Sequence, residues 1–357
     1  MRSWQVVDWG KPLQMNEYPD PVPQGSEVVV RLSGCGVCHS DLHQADGYFD
    51  LGGGKRISLA ARGNKLPYTP GHEMAGEVQA VGPDAKGVKP GDKGIVFPWI
   101  GCGECEPCRK GDETYCDQNR FLGGTRDGGY STHAVIPHPR YLVPYGDLDP
   151  DYAGTLACSG STAYGALTKI PATTEDDYIV LIGAGGVGTS GVLIAPAVHA
   201  AKLIVADIDE AKLAAARKSN RVAMVVNSRD PAAAAAEVMK ATGRGAAAAI
   251  DFVGSPQSAR FGLDSLRRGG TLVAVGLYGG ELPVALPLVP MRSQNIRGSL
   301  VGTLREFEGL MALVRAGKVP AIRTEQRPLS QANEAMAELR AGKVNGRLVL
   351  KPEAARF

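Results

Sequence analysis

The centre of the chain is a series of short apolar runs separated by stretches of helical composition. Tyr178–Ile182 is a continuous apolar run, residues 187–200 have the composition of a helix, and 203–206 is a second apolar run that ends at Asp207. Further runs of the same kind lie at residues 224–226, 247–252 and 271–275. Continuous apolar strands that alternate with helices predict a parallel sheet covered on both faces.

The pattern differs on either side of this central segment. The first 150 residues are rich in Gly, Pro and short β-branched runs, with predicted strands at 26–32 and 76–81 beside turn sequences. This pattern predicts a β-rich domain with long loops. After about residue 295 the chain predicts a strand at 295–301, helices near 306–316 and 331–339, and a closing strand at 347–350.

Residues 48–70 form a long segment without a clear periodic pattern. The segment contains Gly52-Gly53-Gly54 and the basic residues Lys55, Arg56, Arg62 and Lys65. Segments of this length inside a domain are often lids, interface elements or mobile loops. A solvated surface insertion is the alternative interpretation, and the sequence favours neither.

Composition narrows the class of protein. The chain has 357 residues, 44% hydrophobic and 21% charged, with a formal charge of +2 and no Lys/Arg-rich block, which argues against nucleic-acid binding. The start of the chain lacks the apolar core of a signal peptide, and no apolar run is long enough to span a membrane. Four of the seven cysteines are clustered too tightly for a disulfide framework, so reduced thiolates and a cytoplasmic location are expected.

Gly183-Ala184-Gly185-Gly186-Val187-Gly188 fits the dinucleotide-binding pattern G-x-G-x-x-G. The motif follows a predicted strand, opens a predicted helix and is followed about 20 residues later by an acidic residue, Asp207. Free N–H groups at the helix N-terminus favour a pyrophosphate, and the Asp207 charge would repel a 2′-phosphate, so NAD is favoured over NADP. Pro196 is expected to kink the helix.

A second motif contains four cysteines at short spacing, Cys102, Cys105, Cys108 and Cys116. Four thiolates can close a tetrahedron around one zinc ion and leave no position for a substrate, so this site is predicted to be structural. An iron–sulfur cluster is the competing interpretation, but the fourth cysteine is too distant and lacks the usual following proline.

The remaining metal-ligand residues are spread along the chain. Cys38 lies in a segment dense in chemically active side chains, residues 34–43; Gly71-His72-Glu73 supplies an imidazole and a carboxylate; and Cys158 precedes Ser159-Gly160. Two cysteines and one histidine with an open fourth position form a known catalytic zinc arrangement. The spacing alone does not establish that they converge, since a lone cysteine is more often a buried core residue.

These motifs together resemble the zinc-dependent medium-chain alcohol dehydrogenases over essentially the whole chain, and most closely their bacterial and archaeal tetrameric branch. The resemblance rests on residues 36–43, 71–73, the four-cysteine loop, 158–160, 183–188 with Asp207, and Gly346-Arg347. It implies an α/β protein in which residues 1–155 and 296–357 form a β-rich GroES-like catalytic domain and 156–295 form a doubly wound Rossmann domain. It also implies a homotetramer or a dimer. Two departures from the family pattern, Pro196 and residues 220–224, touch no catalytic position.

The resemblance also implies the roles of the metal-site residues. Cys38, His72 and Cys158 would bind the catalytic zinc, and Glu73 would lie directly behind the metal. Asp41 would orient His72 through a hydrogen bond. Cys35 is then interpreted as a buried bystander.

Ser40 and His43 would carry the alcohol proton away by way of the nicotinamide ribose, since the pKa of histidine lies near working pH. The alternatives are a local helix cap for Ser40 and a surface side chain for His43. The residues expected to contact NAD are His39, Thr162, Gly183, Gly185, Gly186, Val187, Gly188, Asp207, Lys212, Gly276, Leu277, Ser299, Leu300 and Arg347.

An apolar substrate pocket is expected from the side chains Phe49, Trp99, Phe121 and Leu122, with Leu277 and Leu300. It favours primary aliphatic, allylic or benzylic alcohols and their aldehydes. The alternatives are a polyol or secondary-alcohol dehydrogenase, a zinc-free reductase of the same fold, and a non-catalytic zinc- and nucleotide-binding protein. Ordinary core packing is the other interpretation of each apolar side chain.

Overall fold

The computed structural model describes residues 1–353. The strands in this range are β1 (Arg2–Gln5), β2 (Gln14–Glu17), β3 (Val28–Gly36), β4 (Tyr48–Gly52), β5 (Lys55–Ser58), β6 (Glu73–Val81), β7 (Lys93–Val96), β8 (His133–Ile136), β9 (Leu142–Val143), β10 (Tyr178–Ile182), β11 (Lys202–Asp207), β12 (Val222–Asn227), β13 (Ala246–Asp251), β14 (Leu266–Ala274), β15 (Asn295–Gly298), β16 (Thr324–Pro328) and β17 (Arg347–Lys351).

The α-helices in the same range are α1 (His39–Asp46), α2 (Glu106–Lys110), α3 (Pro150–Thr155), α4 (Ser161–Leu167), α5 (Gly186–Val198), α6 (Glu210–Arg217), α7 (Pro231–Thr242), α8 (Pro256–Asp264), α9 (Leu288–Arg292), α10 (Leu304–Arg315) and α11 (Ala332–Arg340). One π-helical turn, Leu156–Gly160, joins α3 to α4. Short 3₁₀ segments lie at Ala60–Arg62, Glu113–Tyr115, Pro139–Tyr141 and Leu329–Gln331.

The central segment folds into a parallel sheet with the strand order β12-β11-β10-β13-β14-β15. β10 lies in the middle because the chain first adds strands on one side and then returns to add them on the other, which is the doubly wound topology. The side chains Ile179, Val180 and Leu181 of β10 are fully buried, as expected for a strand covered on both faces. The predicted fold class is confirmed for this half of the protein.

The segments that precede and follow the parallel sheet in the chain together form one β-rich sheet. Its strand order is β16-β17-β3-β6-β7-β9, with β8 also paired to β3. β17 pairs antiparallel with β3, bringing Val349 opposite Gly36 and Leu350 opposite Cys35. The C-terminal segment therefore completes the domain that the N-terminal segment begins, with the parallel-sheet domain inserted between them.

The expected domain boundary between residues 295 and 296 falls within β15. This strand pairs with β14 from Asn295 to Gly298, so it belongs to the parallel sheet. We therefore propose that the boundary lies after Gly298, where the chain leaves the parallel sheet and re-enters the β-rich domain.

The two departures from the family pattern, at Pro196 and at residues 220–224, both correspond to local features of the parallel-sheet domain. α5 continues for two residues beyond Pro196 and ends at Val198, so the proline lies in the last turn, where little helix remains to be disrupted. The second departure from the family pattern, residues 220–224, coincides with a register shift in the pairing of β11 with β12. Leu203 pairs with Val222 and Ile204 pairs with Met224, so Ala223 has no partner of its own in β11.

Residues 48–58, predicted as part of a long loop, form an antiparallel hairpin of β4 and β5. The tip of this hairpin reaches the parallel-sheet domain. A Cβ placed on Gly52 would lie 2.8 Å from the Cα of Gly280, and a Cβ placed on Gly279 would lie 2.6 Å from the carbonyl oxygen of Asp50. The hairpin is therefore a contact between the two domains, which corresponds to the interface alternative for this segment.

Candidate active site

Four potential metal ligands converge although they lie on separate elements. Cys38 ends the turn that follows β3, Glu73 begins β6 directly after His72, and Cys158 lies in the π-helical turn. Such turns place side chains that a regular helix could not, and they are frequent at functional sites. One ligand atom from each of these residues lies within 4.8 Å of those of the others, and all four residues are buried.

The donor set fits a zinc ion. The Sγ atoms of Cys38 and Cys158 are 3.8 Å apart, a spacing that suits two thiolates on one tetrahedral metal. Nε2 of His72 and Oε2 of Glu73 are buried without a hydrogen-bond partner among the described residues. Buried polar atoms are costly to leave unpaired, so these two atoms together indicate a ligand at this point.

The carboxylate of Asp41 holds the ligand-bearing segments together. It lies at the beginning of α1, where Oδ2 accepts the backbone N–H of Cys38 at 2.9 Å in a capping box. Oδ1 lies 3.1 Å from Nδ1 of His72 and 3.1 Å from the backbone nitrogen of Gly71. The structure thus has the Asp41–His72 contact that the sequence analysis expects, and this contact leaves Nε2 of His72 as the ligand atom.

Tyr130 is a site residue that the sequence analysis missed. Its hydroxyl donates to Oδ2 of Asp41 at 3.0 Å, and its side chain is fully buried. Burial and the neighbouring Asp41 charge raise the pKa of Tyr130 well above its usual value, so the phenol stays protonated and acts as a donor. The two residues are 89 positions apart, and no spacing motif links them.

Glu73 forms a buried ion pair with Arg347. Burial raises the pKa of Glu73, and the guanidinium of Arg347 opposes that shift. The Arg347 side chain also packs against Gly186, the first residue of α5, where an added Cβ would collide with it. Arg347 therefore touches both the metal site and the N-terminus of the helix that the sequence analysis assigns to the pyrophosphate.

The four-cysteine motif forms a second metal-ligand group. The ligand atoms of Cys102, Cys105, Cys108 and Cys116 also lie within 4.8 Å of one another. Backbone N–H groups of Glu104 and Cys105 donate to the sulfur of Cys102 and lower its pKa to about 6. The group supplies four thiolates and no open position, as expected for a structural zinc site.

The glycine-rich turn has the geometry of a dinucleotide site. Gly183 adopts a φ of +93°, and a Cβ on Gly188 would collide with the Gly183 carbonyl, so both positions require glycine. Oδ2 of Asp207 accepts the backbone N–H of Ala184 at 2.7 Å, and Oδ1 accepts that of Asp209 at 3.0 Å. The expected ribose acceptor is therefore already fixed to the phosphate-binding turn.

The other residues expected at the cofactor lie on several separate elements. Thr162 and Ser299 are buried, and the Ser299 hydroxyl has no partner among the described residues. Leu277 and Leu300 are about half exposed, at 45% and 48%. His39 and Ser40 begin α1, Lys212 lies in α6, and Gly276 packs against Val253.

Aromatic side chains cover one side of the metal site. The Trp99 ring lies 5.2 Å from the His72 ring and 5.2 Å from that of Phe121. Phe49 lies 5.1 Å from the ring of His43. Leu122 is buried beside them in the core, at 2% exposure.

Burial lowers the pKa of His43, although the nearby Asp46 partly opposes this. The neutral form of the imidazole is therefore favoured near neutral pH. A neutral imidazole can accept a proton, which suits the expected place of His43 at the outer end of a proton path. Ser40 and His43 lie three residues apart on α1 and so share one face of that helix.

Comparison with known proteins identifies the class. Residues 24–147 match the family model "Alcohol dehydrogenase GroES-like domain", and residues 186–316 match "Zinc-binding dehydrogenase". An NAD-dependent alcohol dehydrogenase of Sulfurisphaera tokodaii is 38% identical over 354 residues, which cover 99% of this chain and 100% of that relative.

Solved structures agree with this result. The alcohol dehydrogenase of the archaeon Aeropyrum pernix matches with a TM-score of 0.87 and 32% identity, covering 99% of this chain and 100% of that one. A cobalt- and zinc-bound thermostable alcohol dehydrogenase of Pyrobaculum aerophilum matches with a TM-score of 0.84 and 25% identity over 99% of each chain.

The chain belongs to the zinc-dependent medium-chain alcohol dehydrogenases. It is an NAD-dependent alcohol dehydrogenase that uses zinc, as the sequence analysis predicts. This result excludes the zinc-free reductase and the non-catalytic zinc- and nucleotide-binding protein. No helix within residues 1–353 combines the length and apolar character needed to cross a bilayer.

Proposed function

We propose that this enzyme interconverts primary aliphatic, allylic or benzylic alcohols and their aldehydes at a zinc ion held by Cys38, His72 and Cys158. The observation that carries the proposal is the convergence of these three buried ligands around the unpartnered Nε2 of His72. Glu73 is the fourth member of the group, with one oxygen paired to Arg347 and the other buried without a hydrogen-bond partner among the described residues.

The substrate class is argued from the aromatic side chains beside the metal site. Trp99 and Phe121 pack edge to face next to His72, and the indole nitrogen of Trp99 is already used by the carbonyl of Ala157. An apolar surface of this kind stabilises a hydrocarbon chain or ring. It offers no polar partner for additional hydroxyl groups, so polyols are disfavoured because they would lose hydrogen bonds to water.

When bound, zinc supplies Lewis-acid polarisation of the substrate oxygen, and NAD accepts the hydride. The protein's own groups hold and orient these partners. Asp41 fixes the His72 ring, and Trp99 covers one side of it, excluding water from that side. The Ser40 hydroxyl would accept the proton of the alcohol while its own proton leaves through the nicotinamide ribose to His43. His43, half-buried in the last turn of the same helix, would pass a proton to solvent.

We propose that NAD binds along the C-terminal edge of the parallel sheet. The N-terminus of α5, with His39 and Arg347, would hold the pyrophosphate, and Asp207 and Lys212 would hold the adenosine ribose. The residues proposed at the nicotinamide end are Thr162, Gly276, Leu277, Ser299 and Leu300.

We also propose a homotetramer built from dimers. β15 has one neighbouring strand among residues 1–353, and all of its residues are exposed. Ile296 on this edge is 49% exposed, and Met291 of the nearby α9 is 68% exposed. An exposed, unpaired sheet edge with apolar side chains on and beside it is a suitable surface for pairing with a second chain.

The proposed location is the cytoplasm. All seven cysteines lie within the described residues and none forms a disulfide. Thiolate metal sites persist in a reducing compartment.

A substrate panel followed by NADH absorbance tests the proposed activity. It compares primary aliphatic, allylic and benzylic alcohols with secondary alcohols and polyols, and NAD with NADP. The highest kcat/KM is expected for a primary alcohol with NAD. A polyol or a secondary alcohol with a higher kcat/KM would replace the proposed substrate class.

The ligand set is tested by replacing one thiolate. Cys38→Ala is expected to retain the structural zinc and to lose the catalytic one, with loss of turnover, because the catalytic site keeps too few protein ligands. Cys35→Ala is the matched control, since Cys35 is equally buried but lies outside both ligand groups. Metal analysis that still finds both zinc ions in Cys38→Ala would remove Cys38 from the set.

A further inference from the structure

The Asp41 carboxylate is fully buried and accepts hydrogen bonds from four donors. Three of them belong to the metal-ligand segments themselves: the N–H groups of Cys38 and Gly71, and Nδ1 of His72. Among the described residues, the fourth donor is the Tyr130 hydroxyl, which lies outside the segments that carry the metal ligands. A buried carboxylate depends on such donors, because each donor that is lost removes part of the stabilisation of its charge.

Tyr130 is itself held rigidly. Its backbone N–H donates to Pro70 at 2.9 Å, and its carbonyl accepts the N–H of Trp4 at 2.8 Å. Its ring packs on Gly71, which has a φ of +98° and no room for a Cβ on the side of the ring. The phenol therefore reaches Asp41 from a fixed backbone, and its ring limits the turn that leads into His72.

We propose that Tyr130 is a positioning residue for the catalytic zinc: its hydroxyl fixes Oδ2 of Asp41 so that Oδ1 remains directed at Nδ1 of His72. Without this hydroxyl, Oδ2 retains only the Cys38 N–H, and the carboxylate is free to rotate away from the imidazole. The ligand atom of His72 is then less well oriented, and the zinc ion is held more weakly. This inference rests on the proposed zinc ligand set.

The test measures the release of zinc from the full-length, zinc-loaded enzyme into excess chelator. Tyr130→Phe retains the ring and removes only the hydroxyl. The structural zinc of the four-cysteine loop acts as an internal reference. Because Cys38→Ala is expected to retain only that zinc, its release identifies the kinetic phase of the structural site. The catalytic phase of Tyr130→Phe is expected to be about tenfold faster than in the wild type, with the structural phase unchanged.

Tyr68→Phe is the matched control. Tyr68 is also buried, but its hydroxyl donates to the Gln44 carbonyl at 2.6 Å and makes no hydrogen bond to Asp41 within the described residues. Both zinc phases of this variant are expected to match the wild type. An unchanged catalytic phase in Tyr130→Phe, or an equal acceleration in Tyr68→Phe, would overturn the inference.

A double-mutant cycle separates a route through Asp41 from a general loosening of the site. In an Asp41→Asn background, adding Tyr130→Phe is expected to leave the already accelerated catalytic phase unchanged. A further tenfold acceleration would show that Tyr130 acts by another route and would refute the inference. Two zinc phases in Cys38→Ala would instead refute the ligand set.

Discussion

Cys38 has two tasks that depend on different atoms of one residue. Its sulfur is a proposed zinc ligand. Its backbone N–H donates to Asp41, because Cys38 is the N-cap residue of α1. The helix that carries Ser40 and His43 is therefore fixed directly to the metal site. The first turn of α1 therefore sets the distance between the proposed zinc ligand Cys38 and the proposed proton acceptor Ser40.

Ser40→Ala is expected to slow alcohol oxidation by about a hundredfold or more while retaining both zinc ions, because it removes a proton acceptor and no ligand. Steady-state turnover and metal content measure the two effects. Ser33→Ala is the control, since Ser33 is also half-buried but lies on β3 before the metal site. Turnover near that of the wild type in Ser40→Ala would remove Ser40 from the proton path.

The sequence identifies individual site residues only where they belong to a local motif. Cys38, His72 and the glycine-rich turn stand in short characteristic strings, so their chemistry is visible without the fold. Tyr130 stands in no such string. Its role depends on a contact across 89 positions, which only the folded β-rich domain brings about.

At the scale of elements, the hairpin of β4 and β5 meets the loop that follows β14. Its tip contains three consecutive glycines with positive φ, and the loop contains two more, Gly279 and Gly280. Backbone packs on backbone here, since a Cβ at Gly52 would lie 2.8 Å from Gly280. The same loop contains Gly276 and Leu277, which we place beside the nicotinamide.

Gly52→Ala is expected to weaken NAD binding by about tenfold, roughly 1.4 kcal/mol, because the new methyl group displaces the loop that holds the nicotinamide end. Gly54→Ala is the matched control. Gly54 has nearly the same backbone strain, with a φ of +78° against +82° for Gly52, but has no atom within 4 Å of an added Cβ. Titration with NAD measures both variants, and an equal loss in both would contradict a role for the contact.

Elements with a strong hydrophobic pattern were predictable, and those without one were not. β10 coincides with the predicted run Tyr178–Ile182, because a strand buried on both faces must be apolar throughout. The hairpin of β4 and β5 is rich in Gly and basic residues and is mostly exposed. No burial constraint marks it in the sequence.

At the scale of the whole molecule, β17 connects the C-terminal segment both to the N-terminal sheet and to the active site. β17 pairs with β3 and carries Arg347, which pairs with Glu73 and packs against Gly186. The chain order was predictable only through the family resemblance. Periodicity alone does not show that a C-terminal strand returns to an N-terminal sheet.

Ile296→Lys is expected to reduce the molecular mass of the enzyme in solution, measured by light scattering, because a charge on a sheet edge opposes pairing between chains. Val22→Lys is the control, since Val22 is 82% exposed and lies outside the parallel sheet. A wild-type enzyme that is monomeric, or an Ile296→Lys variant of unchanged mass, would contradict assembly through β15.

The hydrogen bond from Ala184 to Asp207 has a consequence for engineering this enzyme to use a phosphorylated cofactor. The Asp207 carboxylate, which would have to be replaced to admit a 2′-phosphate, also fixes the turn that we propose for the pyrophosphate. A substitution by glycine or alanine would remove the repulsive charge and the anchor of the turn together. Asparagine retains an oxygen for the Ala184 N–H, so at position 207 the redesign of cofactor preference is constrained by the neighbouring turn.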